Sequence, residues 1–364
     1  MSASTSEREQ KILGIIETAR GKRAKFRDTQ ITMAHGAGGK ATQNLIEGLF
    51  VPTLGGDTLG LAQMTDAAAL DVDGARLAFT TDSYVVKPLS FPGGSIGELA
   101  VNGTVNDLAV SGARPVALSL SLILEEGLPA DTLREQIDAI ARAADAAGVE
   151  VATGDTKVVE RGHADGMYIC TTGLGRRDAR AAVAPSAIAP GDRILLSGSV
   201  GEHGTAIMLA RGEFELDADV QSDTRSLWPA VDTLLGSAGP GVHCMRDATR
   251  GGVASVLNEL ARAAGVSILV DEAAVPVAPV VAGAAEILGI DPMYMANEGT
   301  FVAFVAPEFA GAALDALRAV PGCERAAIIA EVGADPAGLV LVKTGFGGRR
   351  VMDQLVGDPL PRIC

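Results

Sequence analysis

Five aspartates in this chain, several of them beside Thr, Asn or Gly, stand in stretches that are typical of turns rather than of helix faces. They are Asp66 in MTDAAAL, Asp82 in TTDSY, Asp107 in VNDLAVSGARP, Asp155 in ATGDTK and Asp247 in MRDATRGG. Mg2+ takes oxygen ligands, commonly one or two carboxylates together with substrate phosphates and water. The set therefore indicates a site for one or two such cations, although Asp beside Gly or Thr also makes ordinary turns and helix caps.

Two glycine-rich stretches accompany these aspartates. HGAGGK at residues 35–40 places three glycines ahead of Lys40, and DATRGG at residues 247–252 places Arg250 just before an amphipathic helix. The backbone N–H groups of a glycine loop or of a helix N-terminus can bind phosphate. HGAGGK is not a Walker A sequence, and DATRGG also suits an ordinary helix start. The two stretches favour an anion site without defining it.

The chain ends in GDPLPRIC, so that its last residue is Cys364. An exposed terminal thiol can act as a nucleophile or carry an acyl group. The α-carboxylate of the same residue disfavours the thiolate, so a nearby cation, either Arg362 or a pocket residue, has to offset it. Pro359 and Pro361 predict a stiff, extended arm. The other three cysteines show no zinc-ligand spacing and are expected to be packing or surface thiols.

These residues must be positioned by a chain of 364 residues, a length that suits about two domains. With 48% hydrophobic and 21% charged residues, the composition is globular. The net charge of −15 argues against a nucleic-acid partner. No apolar stretch reaches the length of a membrane span, and four cysteines without a disulfide framework predict a cytoplasmic protein.

Strand-like and helix-like patterns are mixed in both halves of the chain, which predicts an α+β fold. The clearest helix covers 129–147, with a predicted buried stripe of Leu133, Ile137, Ile140, Ala141 and Ala144. An Ala- and Pro-rich loop at 179–192 is the expected domain junction. We therefore divide the chain into a basic extension, two domains and a mobile tail, with the boundaries 1–29, 30–180, 181–345 and 346–364.

The glycine loop, the aspartate stretches and the closing PRIC together resemble the HypE family of hydrogenase maturation factors, the carbamoyl dehydratases. That family belongs to the superfamily of aminoimidazole ribonucleotide synthase and selenophosphate synthetase. The resemblance covers about residue 30 to residue 364 and leaves 1–29 outside. It rests on HGAGGK, TTDSYVVKPLSFPGGSIGELAVNGTVNDLAVSGARP, VATGDTKVV, RDATRGG, ANEGT and the terminal PRIC.

The resemblance implies a two-domain aminoimidazole ribonucleotide synthase-like fold and a homodimer, in which the N-terminal sheets of two subunits pair into a barrel. ATP and Mg2+ would bind in clefts beside this interface, within the N-terminal domain. The implied metal ligands are Asp66, Asp82, Asp107 and Asp247. The implied nucleotide-binding residues are His35, Gly36, Gly38, Gly39, Lys40, Asp66, Asp82, Asn106, Asp107, Asp155, Thr156, Arg250 and Gly251.

The resemblance also implies the chemistry of the tail. The partner HypF would carbamoylate Cys364, and ATP would phosphorylate the carbamoyl oxygen of this thiocarbamate. Loss of phosphate would leave a thiocyanate, whose cyano group would pass to iron on the HypC–HypD complex during [NiFe]-hydrogenase assembly. The dehydration needs a base. Lys157 and Glu272 are the first candidates by position and Glu298 is the third, although a surface lysine and capping glutamates would explain them equally.

Three alternatives accompany this hypothesis. Selenophosphate synthetase is disfavoured because HGAGGK holds no Cys where its reactive residue would lie. Thiamine-phosphate kinase is disfavoured because phosphorylation of a small molecule needs no PRIC arm. A nucleotide-gated carrier or scaffold, which would bind partners through its tail without chemistry of its own, stays open.

Overall fold

The computed structural model describes residues 26–54, 65–212, 219–345, 347–355, 357 and 362–364. Most of the predicted basic extension lies outside these residues, as do Pro359 and Pro361 of the tail.

The N-terminal half is built on a five-stranded sheet with the strand order β1-β2-β7-β5-β6. All neighbouring strands are antiparallel except β5 and β6, which are parallel and joined by a helix. A π-helical turn, Ile46–Phe50, connects the first two helices. The elements in chain order are α1 (Lys40–Leu45), α2 (Val51–Leu54), β1 (Ala68–Val72), β2 (Ala75–Tyr84), β3 (Ser90–Phe91), β4 (Gly94–Ser95), α3 (Ile96–Val110), β5 (Ala113–Glu125), α4 (Ala130–Ala147), β6 (Glu150–Val159) and β7 (Met167–Arg177).

One face of this sheet is covered and the other is open. Along β2, Ala78, Thr80 and Tyr84 are buried, whereas Phe79 is 45% exposed on the opposite face. This alternation is expected for a sheet with one covered face. The covering helix is α3, which is buried almost all round. It approaches β2 closely because position 103 is glycine, where a Cβ atom would collide with the Tyr84 hydroxyl.

Helix α4 forms where the sequence predicts it, but the predicted stripe is partly wrong. Ile137 is 39% exposed, and the buried side chains include Gln136 and Ile140. The polar Gln136 is stable there because its Oε1 accepts a hydrogen bond of 3.2 Å from the backbone N–H of Gly97. Gly148 ends the helix in a left-handed conformation with φ 67°, as the sequence predicts.

The C-terminal half is built on a seven-stranded sheet with the order β14-β13-β10-β12-β8-β11-β9. The sequence patterns missed α6, β9 and β14 within it, and β14, which pairs with β13, lies inside the segment that the sequence predicts to be a mobile tail. The elements in chain order are β8 (Arg193–Leu196), α5 (Glu202–Ala210), α6 (Trp228–Ala238), β9 (Val242–Asp247), α7 (Gly252–Ala264), β10 (Ser267–Asp271), α8 (Pro279–Leu288), β11 (Phe301–Val305), α9 (Pro307–Arg318), β12 (Ala327–Gly333), β13 (Val340–Lys343) and β14 (Arg349–Met352).

The two faces of this second sheet have separate cores. Residues of α7, including Val253 and Leu257, pack on one face, and residues of α6 and α9 pack on the other. The second core also contains Ala109 and Val110 from the end of α3. The same contact that joins the two halves therefore holds the C-terminal end of α3 beside β9. None of the helices in the described part of the chain has the length and apolar content that crossing a lipid bilayer requires.

Candidate active site

Three carboxylates meet where the two halves join. Asp66 precedes β1, Asp107 lies on the last turn of α3, and Asp247 is the final residue of β9. One carboxylate oxygen from each of the three lies within 4.8 Å of the other two. The three aspartates come from separate segments of the chain. The contact of α3 with β9 brings Asp107 and Asp247 together.

A fourth carboxylate, Asp82, lines the same cleft from β2. Its Oδ2 accepts a hydrogen bond of 3.0 Å from the Thr104 hydroxyl, and Thr80 donates one of 2.7 Å to Asp107. The prediction that the five aspartates lie at turns is therefore wrong for three of them. Asp82 lies within β2, Asp107 within α3, and Asp155 within β6. Neighbouring Thr, Asn and Gly suggested turns locally, but Asp82 and Asp107 lie where β2 and α3 pack together, and Asp155 pairs with Ser121 of β5 in the sheet.

Burial makes these carboxylates costly to ionise. It raises the pKa values of Asp107 and Asp247 well above the ordinary range, and the neighbouring carboxylates add to the shift. Burial also raises the pKa of Asp66 to about 6, against the opposing effect of Arg246, whose Nε lies 2.8 Å from Asp66 Oδ2. A cluster of this kind suits a bound cation, which would favour the ionised carboxylates. Sequence reasoning missed Arg246, which adjoins Asp247 in MRDATRGG.

The glycine loop lies against the start of α7. Gly38 and Gly39 line a cleft of about 530 Å3 together with the aspartates and Arg250. Gly38 has φ +74°, and a Cβ atom there would lie 2.9 Å from Arg250 Cβ. Arg250 in turn donates a hydrogen bond of 3.0 Å to the Gly36 carbonyl. Gly251, also with positive φ (+75°), lies just before the helix and within reach of the same loop.

The histidine and the lysine at the two ends of the loop bond elsewhere. His35 is buried with its Nε2 at 2.9 Å from Asp28, and Lys40 Nζ lies 2.7 Å from Asp353. Neither side chain lines the cleft. The structure thus brings Gly38 and Gly39 of HGAGGK to the cleft, whereas Gly36 does not line it and the histidine and lysine bond to structural partners.

The end of the tail is docked at this site. Cys364 lines a recess of about 50 Å3 with Asp82, Asp107, Asp247 and Arg250. The Coulomb interaction with Cys364 is the largest influence on the Arg250 guanidinium, whose pKa it raises. The sequence left open which cation offsets the terminal carboxylate, and Arg250 occupies that position.

Backbone hydrogen bonds hold the last three residues in place. Val85 N–H donates to the Cys364 carbonyl at 3.1 Å, His203 Nε2 lies 2.7 Å from the Ile363 carbonyl, and Arg211 donates to the Arg362 carbonyl at 2.6 Å. Ile363 is 3% exposed. Burial lowers the pKa of His203, so the neutral ring donates through Nε2 while its Nδ1 accepts from Ser222 at 2.7 Å.

Glu298 is the candidate base that the fold places beside Cys364, since both line the small recess. It is 3% exposed, and its Oε1 has no hydrogen-bond partner among the described residues. Burial, followed by the negative charge of Asp223, raises its pKa well above the ordinary range. Buried carboxylate oxygens are normally hydrogen-bonded, so an unpartnered one aimed into a reactive recess points to a functional role.

The other two candidate bases lie elsewhere in the protomer. Glu272 is exposed and bonds to Arg350 at 3.1 Å. Lys157 is exposed on the edge strand β6 and bonds to Asp155 at 2.7 Å, with Thr156 exposed between them. The aspartate cleft is lined neither by Glu272 nor by the β6 residues Asp155, Thr156 and Lys157.

Asn106 forms three hydrogen bonds with backbone groups. Its amide donates to the Arg225 carbonyl at 3.0 Å and to the Glu298 carbonyl at 3.1 Å, and its oxygen accepts from Leu227 N–H at 2.7 Å. It is 1% exposed and does not line the cleft. In this structure Asn106 therefore positions the backbone of Glu298.

This fold and site define a two-domain protein of the AIR synthase class. The family model "AIR synthase related protein, N-terminal domain" matches residues 64–177, and the corresponding C-terminal domain matches residues 189–343. The α+β fold that the sequence predicts is confirmed.

Comparison with individual proteins identifies the family within this class. The chain is 48% identical over 339 residues to the carbamoyl dehydratase HypE of Rhodobacter capsulatus, covering 93% of this chain and 99% of that protein. A crystal structure of the hydrogenase maturation protein HypE in complex with ATP matches with a TM-score of 0.76 and 45% identity, over 92% of this chain and 100% of that one. A HypE–HypF complex matches with a TM-score of 0.81 and 40% identity, over 85% of this chain and 99% of that one.

The chain belongs to the HypE family of carbamoyl dehydratases, which act in hydrogenase maturation, and it is an enzyme of that class. The family resemblance that the sequence motifs carry is confirmed.

Proposed function

We propose that this chain dehydrates a carbamoyl group carried on the sulfur of Cys364 to a thiocyanate, at the expense of ATP. The observation that carries the proposal is the shared recess, in which Cys364 lies beside Asp82, Asp107, Asp247 and Glu298. The overall change is Cys–S–C(O)NH2 plus ATP to Cys–S–C≡N plus ADP and phosphate. The carbamoyl oxygen leaves with the phosphate, and the nitrogen loses two protons.

The aspartate cluster suits Mg2+. The carboxylates of Asp66, Asp107 and Asp247 converge within 4.8 Å, and their burial leaves a concentration of negative charge that a divalent cation would balance. Asp82 adds a fourth carboxylate from β2. When bound, Mg2+ would neutralise the charge of the nucleotide phosphates.

The cleft of about 530 Å3 has the size of a small-molecule site. Gly38 and Gly39 line it with backbone that can approach phosphates closely, and Arg250 adds a fixed positive charge. ATP as the co-substrate agrees with the family relative whose crystal structure contains it.

In the first step the carbamoyl oxygen attacks the terminal phosphorus of ATP, the bond to ADP breaks, and the nitrogen gives up one proton to solvent water. The step is required because an amide-type oxygen is a poor leaving group, whereas phosphate is a good one. Arg250 lies beside Cys364 and would stabilise negative charge that develops near the tail. Hydrogen bonds to the tail from the Val85 backbone N–H and the His203 side chain would hold it in its reactive position.

In the second step the bond from carbon to the phosphorylated oxygen breaks, and the nitrogen gives up its second proton as the C≡N bond forms. Glu298 would take this proton, because its Oε1 is unpartnered among the described residues and its carboxylate lines the recess of Cys364. Its raised pKa makes the carboxylate form of Glu298 a stronger base than the carboxylate of an exposed glutamate. Glu272 bonds to Arg350 and does not line the recess of Cys364.

The proposal extends to a homodimer in which the open faces of two five-stranded sheets pair into a barrel. Phe79 and Val116 are 45% and 49% exposed on the sheet, and Val158 is 67% exposed on the edge strand β6. Association would bury this apolar surface. It would also allow Asp155, Thr156 and Lys157 of one subunit to reach the nucleotide cleft of the other.

The proposed partners follow from the family. HypF would supply the carbamoyl group, in keeping with the HypE–HypF complex among the structural relatives. HypC–HypD would accept the cyano group on iron, as part of [NiFe]-hydrogenase assembly. We place this work in the cytoplasm, where the four cysteines, each of which is a free thiol, would remain reduced.

The proposal is tested on protein carbamoylated at Cys364. After incubation with Mg2+ and ATP, the tail peptide is analysed by mass spectrometry. An ATP-dependent loss of one water from the Cys364 adduct is expected. An adduct that stays intact while ATP binds would instead support a nucleotide-gated carrier, and a Cys364→Ala variant that completes the reaction would exclude the tail thiol as the site.

A further inference from the structure

A cluster of arginines lies at the end of the N-terminal sheet, outside the aspartate site. Arg76 begins β2, Arg114 begins β5, and Arg176 and Arg177 end β7. The sheet order puts these strand ends side by side, since β7 lies between β2 and β5. Together with Arg180 they line a cavity of about 790 Å3. This concentration of positive charge stands out in a chain whose net charge is −15.

The acidic residues of the cavity leave most of this charge unbalanced. Asp178 and Asp232 both line it, and both bond to Arg180, at 2.7 Å and 2.6 Å. The other four arginines form no ion pair with any residue that the structure describes. The cavity therefore presents several guanidinium groups whose donors are available to a ligand.

The arrangement also brings like charges together. Arg114 and Arg176 are direct partners in the register of β5 and β7, so that their side chains leave the same face of the sheet. Burial and the nearby Arg76 both lower the pKa of Arg177. Like charges at directly opposed strand positions destabilise a sheet unless another charge compensates. A bound anion would provide that compensation.

The volume of the cavity and the aromatic ring in its wall restrict the class of ligand that it can bind. Its volume falls in the range of small-molecule sites, about 300–1,000 Å3, whereas an acidic protein surface would need a broad face. The guanidinium group of arginine donates paired hydrogen bonds to phosphate oxygens. The half-buried ring of Trp228 lines the same cavity. The geometry points to a second, anion-binding site that takes a small phosphorylated molecule with at least two negative charges.

The cavity is separate from the aspartate cleft but adjoins it. A smaller cavity of about 260 Å3 lies between them, lined by Arg177 towards the arginine cluster and by Asp66 and Arg246 towards the cleft. The inference does not depend on the proposed dehydration, because it rests on the arginines and Trp228 alone.

Trp228 provides the readout, because it is the only tryptophan of the chain. The full-length protein is titrated at constant ionic strength and without divalent cations, once with ADP and once with inorganic diphosphate, while tryptophan fluorescence is followed. A saturable change is expected. Equal responses would identify the phosphate groups as sufficient, and tighter binding of ADP would add a contact between its ring and Trp228.

Reversing the charge of one arginine of the cluster tests whether the ligand binds in this cavity. Arg114→Glu is expected to weaken the apparent affinity about tenfold or more, since it removes one guanidinium and adds a repulsive charge. The matched control is Arg134→Glu on α4, an exposed arginine paired only with Asp131. Arg176→Gln is a milder second variant should the reversal disturb the sheet. Asp247→Asn, in the aspartate cleft, should leave the Trp228 response in place.

Two outcomes would overturn the inference. One is the absence of a saturable change with either probe up to millimolar concentration. The other is equal binding by Arg114→Glu, Arg176→Gln and Arg134→Glu, which would show that the signal does not depend on the cluster.

Discussion

Glu298 and Cys364 are 66 positions apart in the chain, yet they line one recess of about 50 Å3. The carboxylate is buried with one oxygen unpartnered among the described residues, and the thiol is held there by backbone hydrogen bonds of the tail. This pairing distinguishes Glu298 from the two other candidate bases and generates the first two predictions.

Replacing Glu298 by Gln should abolish most of the dehydration of carbamoylated Cys364 while preserving the shape of the site. Loss of a general base typically lowers the rate by about 10²- to 10⁴-fold. The rate is measured by mass spectrometry of the tail peptide, with ATP affinity determined in parallel. Glu272→Gln is the matched control and should retain near-full activity, because Glu272 bonds to Arg350 away from the recess. The assignment fails if the two variants lose activity equally.

The same substitution should change the pH dependence of stability. The folded chain holds the Glu298 proton above the ordinary pKa of 4.5, whereas the unfolded chain releases it there. Because the folded state then binds more protons, wild-type stability falls as pH rises from 4.5 towards the raised pKa. Glu298→Gln has no proton that titrates at this position. The Tm of the variant should therefore rise relative to the wild-type Tm over that pH interval, by about 2–4 °C for each kcal/mol of stability that the wild type loses.

Thermal unfolding of wild type and variant from pH 4.5 to 8.5 checks this prediction. A Tm difference that stays constant with pH would show that burial does not hold a proton on Glu298.

Gly38 and Gly36 provide a matched pair within the glycine loop. A Cβ atom at Gly38 would meet Arg250 at 2.9 Å, and its φ of +74° is unfavourable for other residues, whereas a Cβ at Gly36 would meet nothing within 4 Å. Gly38→Ala should cost about 1–2 kcal/mol and weaken ATP binding about tenfold. Gly36→Ala should bind ATP as the wild type does. Calorimetric titration compares them, and equal affinities would contradict a close packing of the loop on Arg250.

Asp165 forms an ion pair with Arg362 of the tail and lies 3.0 Å from Lys87. Removing the charge with Asp165→Asn should loosen the docked tail, because partly exposed pairs of this kind contribute about 0.2–1 kcal/mol. Alkylation of Cys364 should therefore become roughly two- to fivefold faster, measured by mass spectrometry of the tail peptide. Asp131→Asn, which breaks an exposed pair on α4, is the control and should leave the rate unchanged.

The proposed dimer predicts complementation between inactive variants. Asp247→Asn damages the aspartate cluster, and Asp155→Ala removes a residue that we propose to act in the partner's cleft. Each variant alone should be weakly active, and a remixed equimolar sample should recover about a quarter of wild-type activity, because half of the dimers would hold one intact site. No recovery after verified subunit exchange would show that Asp155 does not act across the interface.

The chain by itself determined the family, the α+β class and most of the residues that meet at the site. The motifs HGAGGK, RDATRGG and PRIC are local, so they can be read without a fold. Local patterns also located α4 and its glycine end. Where neighbouring residues alone controlled the assignment, as for Asp82, Asp107 and Asp155, the expected turns were wrong.

Only the tertiary structure decided which of these residues act together. Contact between α3 and β9 assembles Asp107 with Asp247, and docking of the tail puts Cys364 beside Glu298 and Arg250. These relationships join segments far apart in the chain, through packing of buried side chains that no local periodicity records. The arginine cluster has the same origin, since the order of strands in the sheet, rather than their sequence order, brings its members together.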